Sequence, residues 1–192
     1  SSFTDPSSGC EKPEVAASGS DITSTIMNNG VAWAGSGTSY AAPMVAGEAA
    51  LLADRNSTLE SWPESVKAII MATALHNIEG SSRLSEKDGA GGVDMRAAFR
   101  VADEGWWSGV TVTPTSYPSS APLAYSFYAE AGQTLRAAIA WDSNPNSSYT
   151  TDVLEADIDL RLKNPSGTIV AVSLSSTNSS EIIEYYATTS GT

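Results

Sequence analysis

Residues 35–54 read Gly-Ser-Gly-Thr-Ser-Tyr-Ala-Ala-Pro-Met-Val-Ala-Gly-Glu-Ala-Ala-Leu-Leu-Ala-Asp, and no other stretch constrains the fold as tightly. From Ala41 to Asp54 almost every residue forms helix readily and is small or apolar nearly all round, so the run predicts a helix buried on most sides. A glycine-flanked turn delivers Ser39 to its beginning. There the hydroxyl would be exposed at its tip while the backbone is held stiffly. The serine's own N–H and the positive end of the helix would face any negative charge developing beside it. Ala41, Ala42, Ala46 and Gly47 allow close approach of neighbouring backbone. Pro43 falls in or just past the first turn, where it removes at most one helical hydrogen bond. This arrangement suits a nucleophile on a rigid mount, although serine-capped helices of small residues also occur with no chemical role.

On either side of this run the chain divides into two compositional halves that meet near residues 103–122. In the first, Ser61-Trp62-Pro63-Glu64 has the S-x-x-E capping pattern with proline at a first-turn position. It predicts a helix with Val66, Ile69, Ile70 and Thr73 on one face, ending near His76. A further helix is expected over Asp94 to Ala102, and short strands over Glu14–Ala17, Ile22–Met27 and Val31–Ala34. The second half changes to period-two alternation. Strands are expected over Val110–Thr113, Ala124–Tyr128, Leu135–Trp141, Ile158–Leu162, Ile169–Leu174 and Ile182–Tyr186. Gly132, Asn144-Pro145, Asn164-Pro165-Ser166-Gly167 and the Ser/Thr/Asn cluster at 175–180 mark turns between them. Short strands at this spacing predict an all-β sandwich of jelly-roll type. The expected units are residues 1–105 and 106–192.

Composition narrows the function classes. With 22 acidic and 10 basic residues the formal charge is −12, which repels phosphate backbones and anionic lipid, so neither nucleic-acid nor membrane partners are expected. No apolar run approaches the roughly 18 residues of a membrane span. An acidic surface rich in Ser, Thr and Asn suits a secreted protein, and plain solvation accounts for it equally well. Cys10 is the only cysteine, so neither an internal disulfide nor a cysteine metal cluster can form, and an idle thiol is the expected reading.

Gly37-Thr38-Ser39-Tyr40-Ala41-Ala42-Pro43-Met44-Val45-Ala46-Gly47 closely resembles the active-site serine motif of the subtilisin-like proteases. Glu11-Lys12-Pro13-Glu14-Val15-Ala16-Ala17-Ser18-Gly19 is similar to that family's K-P-D-V-x-A-P-G stretch, at a matching distance before the serine. Gly89-Ala90-Gly91-Gly92-Val93-Asp94 with Ala97-Ala98 resembles the G-x-G-x-V-(D/N)-A segment near the end of the protease domain. Ser18 stands where the family often has proline and Met44 where many members have histidine; neither position does chemistry there. The resemblance implies an α/β fold, part of the three-layer subtilisin-like architecture, and a serine endopeptidase in which Ser39 is the catalytic nucleophile acting on a protein or peptide substrate. It implies no cofactor for the chemistry.

The same resemblance exposes what is absent. The family's triad runs Asp, His, Ser, with the oxyanion asparagine also ahead of the serine. Of the two upstream aspartates, Asp5 and Asp21, neither has the family's motif, and no histidine precedes Ser39. The expectation is that the triad Asp and His and the oxyanion Asn lie in an N-terminal part of the peptidase domain outside this chain. That part would be the chain's partner, and the 192 residues alone would be inactive. The sole histidine, His76, sits after the nucleophile at a helix end, where bonding to carbonyl groups is the plain reading. Glu155-Ala156-Asp157-Ile158-Asp159-Leu160 and Asn164-Pro165-Ser166-Gly167 resemble the D-L-D-L…P-x-G hairpin of β-sandwich domains appended to some subtilases. Both ends of the chain therefore read as cut. Asp157 and Asp159 face one side of a strand. A solvated face is the plain reading, and structural calcium, common in the family, is the other.

Three sequons, at Asn56, Asn146 and Asn178, are accounted for by composition. Two competing functions remain. One is a non-catalytic β-sandwich module of a pseudoprotease, with Trp106, Trp107, Tyr125, Tyr128, Trp141, Tyr185 and Tyr186 as candidates for a binding face. The other, a lipase-type hydrolase, is disfavoured because Gly37-Thr38-Ser39-Tyr40-Ala41 lacks the closing glycine of G-x-S-x-G.

Overall fold

The fold follows from where apolar stripes can find cover. A computed structural model describes residues 12–75, 88–113, 116, 118, 121–142, 144–145, 147–148, 152–154 and 156–192. Cys10, His76, Asn146 and Glu155 lie outside the described residues. The architecture is mixed α/β, compatible with part of a subtilase fold.

Strands β1 (Ile22–Ile26) and β2 (Gly30–Gly35) form an antiparallel hairpin in which Ile26 faces Gly30. The turn between them places Asn28 at φ 63° and Asn29 at φ 60°. Asparagine is among the few residues that tolerate this left-handed pair, which matches the twist of the flanking strands. The long helix α1 (Thr38–Arg55) follows, with Pro43 inside it and Gly37 at its N-cap. A 3-10 turn (Ser57–Ser61) leads into α2 (Pro63–Thr73), and α3 (Met95–Glu104) begins at Asp94, whose Oδ1 accepts the Ala97 N–H at 3.1 Å.

The helices make one core from Leu52, Leu59, Val66, Ile69, Ile70, Ala98 and Ala102, with Trp107 packed partly against it. The predicted face of α2 is the buried one: Val66, Ile69 and Ile70 each remove their side chains from water, a gain of about 1.5–3 kcal/mol apiece.

Two expectations for these helices are corrected. Ser61 does not cap α2, because it closes the 3-10 turn; the N-cap is Trp62, with no side-chain hydrogen bond. Nor is α1 buried on most sides. Only Glu48 and Leu52 are buried along it, while Met44 and Leu51 are exposed. The described residues cover one stripe of this helix and leave the other open.

In the second half the strands pair antiparallel: β3 (Thr134–Ala140) with β8 (Ser180–Tyr186), β4 (Asn144–Pro145) with β5 (Asp152–Val153), and β6 (Leu160–Lys163) with β7 (Ile169–Ser173). Val110–Thr113 and Ala124–Tyr128 form no strand, though Ala129 bridges Gly191. Asn144-Pro145, expected as a turn, is β4 itself. The turn at 164–167 is as expected: Asn164 Oδ1 accepts the N–H groups of Ser166 and Thr168, and the Gly167 N–H reaches Asn164 O at 2.8 Å.

The halves share a second cluster, in which Met71, Ala74 and Ala90 of the first pack on Ile182 of the second, flanked by Val15 and Ala138. Arg136 of β3 reinforces this contact. Its guanidinium donates to the Ala74 carbonyl at the end of α2 and, at 2.6 Å, to Glu184.

Candidate active site

Ser39 is the second residue of α1, one position beyond Thr38, and it is exposed. The first N–H groups of a helix lack the usual partner four residues back, so those the turn does not engage, with the helix dipole, are available to an oxyanion formed beside the serine. The turn before Ser39 is tied at three points. The Gly37 N–H donates to Gly19 O at 2.7 Å, the Asp21 N–H to Ser36 Oγ at 2.9 Å, and the Tyr40 hydroxyl to Ala34 O at 2.7 Å. The Tyr40 N–H closes back on Gly37 O at 3.1 Å. At Gly19 a side chain would meet the Gly37 carbonyl oxygen at 2.8 Å and the Ala41 methyl at 3.3 Å, so the two backbones approach as only glycine allows.

The stretch 13–19 does more than hold the serine turn. Ala16 forms a parallel bridge with Gly92, joined by Ala16 N–H to Gly91 O at 2.9 Å and Val93 N–H to Ala16 O at 2.9 Å. The Ala90 N–H donates to Glu14 O at 2.8 Å. Segments separated by some seventy residues of sequence thus meet, and one of them also braces the turn that presents Ser39. Glu14 fixes this segment to α2 through Lys67 at 3.0 Å and to Lys12 at 2.5 Å. Burial pushes the Glu14 carboxyl up, but the Lys12 hydrogen bond and the Lys67 charge outweigh it and hold it below its usual range.

Neither Asp21 nor Glu48 partners Ser39 as an orienting acid would. The Asp21 residue sits at φ 52°, exposed, contributing its backbone N–H. Glu48 was not foreseen as a site residue. It is 1% exposed, and among the described residues neither carboxylate oxygen has a hydrogen-bond partner. The signal was there to read: it is the only charged residue between Ala41 and Ala53.

Away from the serine, Asp157 and Asp159 are both exposed and precede β6 rather than lying in a strand, and Asp159 pairs with Arg161 at 2.7 Å. Among the described residues no three His, Cys, Asp or Glu side chains are grouped to hold a metal ion, and no helix is long and apolar enough to cross a membrane. Asn56 uses its amide as a cap, accepting the Thr58 N–H at 3.2 Å, and Asn178 is buried. Of the aromatic candidates, Trp107 packs on the helical core and Trp141 donates to Ala156 O at 3.0 Å. Trp106, Tyr125, Tyr128 and Tyr186 are exposed.

An exposed serine at the head of a braced helix in a mixed α/β chain is the mounting found in hydrolases that work through a serine nucleophile. Residues 1–93 match the model of the Subtilase family, which supports reading this part of the chain as a fragment of a subtilisin-like serine protease. No curated protein matches the chain.

Proposed function

We propose that the chain is the nucleophile-bearing part of a secreted subtilisin-type endopeptidase, with Ser39 forming the acyl-enzyme. The observation that carries this reading is the exposed Ser39 in the first turn of α1, braced by Gly19 through Gly37. Ser39 Oγ attacks the scissile carbonyl carbon while its proton passes to an imidazole. The carbonyl oxygen becomes an oxyanion facing the N-terminal N–H groups of α1. The imidazolium then protonates the leaving amine, and water, deprotonated by the same imidazole, hydrolyses the ester.

The imidazole and its aspartate are assigned to the missing N-terminal part of the peptidase domain, since His76 has no triad context in the family's pattern. In subtilisin itself, loss of the base costs on the order of a millionfold in kcat, so these 192 residues by themselves are expected to be inactive. The second half is read as a β-sandwich accessory unit, with structural calcium at Asp157 and Asp159 as the alternative to a solvated face.

A fluorophosphonate probe tests the reading on protein carrying the complete triad: labelling should be lost in Ser39→Ala, and labelling that survives there refutes it. The competing reading, a pseudoprotease binding module, draws on the exposed Trp106, Tyr125, Tyr128 and Tyr186. It would be favoured by a gene lacking the Asp and His motifs throughout.

A further inference from the structure

A carboxyl group sealed in a helical core without a hydrogen bond is far costlier as an anion than as the neutral acid. Glu48 is such a group. It lies on α1 one turn before the fully buried Leu52, and both its oxygens are without partners among the described residues. We propose that Glu48 is a built-in pH sensor of the helix that carries Ser39: it is housed as the neutral acid, and its ionisation loosens the packing of α1 on α3.

The groups around it offer the anion no relief. Elements packed against α1 are α3, the 3-10 turn and α2. At the start of α3, Asp94 brings a second negative charge. The cations of these elements are engaged elsewhere or distant in the helix pattern: Lys67 of α2 with Glu14, Arg100 of α3 with Glu104, and Arg55 of α1 itself with Asp103. Of the charged side chains on these elements, Asp94 is the one that shifts the Glu48 carboxyl; Arg96, Glu60 and Glu64 do not. Burial, then Asp94, hold the Glu48 carboxyl above its ordinary value of 4.5. A raised value in the fold means that the stability tied to this group is fully present below the ordinary glutamate value. It is lost as pH rises through the folded-state value. This contribution follows from the burial of Glu48 and the charge of Asp94, whatever chemistry Ser39 performs.

The test is thermal unfolding of the 192-residue chain from pH 4 to pH 8, comparing wild type with Glu48→Gln and Asp94→Asn. Gln is nearly isosteric and cannot ionise; Asn keeps the oxygen that caps α3 and drops the charge. Wild type should lose several degrees of Tm across this range. Glu48→Gln should unfold at higher temperature than wild type at pH 8 with no advantage at pH 4, and Asp94→Asn, by removing a charge that holds the carboxyl up, should move the midpoint of the loss to lower pH. If Glu48→Gln proves poorly folded, carbon-13 NMR of the Glu48 carboxyl in wild type reads the same titration directly. A Glu48→Gln curve parallel to wild type, or a carboxyl titrating at or below 4.5, overturns the proposal.

Discussion

Gly89→Ala probes the contact on which the serine's mount depends, and its cost divides into two parts. Gly89 has φ 61°, a left-handed conformation that costs an L-residue roughly 1–2 kcal/mol. The second part is steric. A Cβ there would intrude on the carbonyl oxygens of Pro13 and Glu14, and it would sit 2.5 Å from the Glu14 carbonyl carbon. Backbone atoms cannot rotate away as a side chain can, so the stretch 13–16 must shift. Three hydrogen bonds join the two segments: Ala90 to Glu14, Ala16 to Gly91, and Val93 to Ala16. At about 0.5–1.5 kcal/mol each, losing them brings the expected destabilisation to about 3–6 kcal/mol. Gly105→Ala is the internal control, because Gly105 also has positive φ (68°) but open space where the Cβ would go. It should lose only the roughly 1–2 kcal/mol of the dihedral part. Urea unfolding followed by tryptophan fluorescence measures both, with unchanged m-values licensing the comparison. Equal losses for the two variants would show that the close approach of residues 13–14 to Gly89 does not exist.

Other expectations follow from single contacts. Arg136→Met removes the guanidinium shared by Ala74 O and Glu184; leaving both without their donor should cost about 2–4 kcal/mol, read by the same urea transitions. Glu14→Gln should destabilise the chain at pH 7. The depressed carboxyl contributes stability above its ordinary value of 4.5 and loses it as pH falls through the folded-state value, so the difference from wild type should vanish near pH 3; a constant gap across the range would refute the assignment. Trp33, Val31, Ile26, Met44 and Leu51 leave apolar surface in water, Trp33 at 69% exposure, and surfaces of this kind drive association. Light scattering should find self-association at micromolar concentration, and a clean monomer would count against it.

Much of the helical part was legible because its signals are local. The stripe Val66, Ile69, Ile70 and the helix expected over Asp94 to Ala102 rest on residues within a turn or two of what they specify; that Asp94 caps the helix rather than lying in it was not read. Strand pairing was less so. Val110–Thr113 alternates as a strand should, yet alternation specifies a face and not a neighbour, and among the described residues no strand forms there. The capping pattern at Ser61 failed for a different reason: the preceding 3-10 turn uses that residue first. Around Ser39, the local turn and helix start could be read from Gly37 and the alanines. The brace from Gly19 could not, because nothing in a one-dimensional pattern says that two glycines eighteen positions apart will touch.

The three motif segments acquire a common physical purpose once their contacts are traced. Gly89–Val93 lies against 13–16, and Gly19 at the end of that same stretch receives the Gly37 N–H. A hydroxyl used as a nucleophile must be held to within a fraction of an ångström, and a helix N-terminus alone frays. Here the fraying end is tied to a segment that is itself anchored at Lys67 on α2 and at Gly91 and Gly92. Ala90 packs in turn with Met71, Ala74 and Ile182. The β-rich half therefore connects to the serine through an unbroken chain of contacts: Ile182 to Ala90, Ala90 to Glu14, Gly19 to Gly37. Its packing supports the mount of Ser39, which gives that half a role in the site without requiring it to touch a substrate.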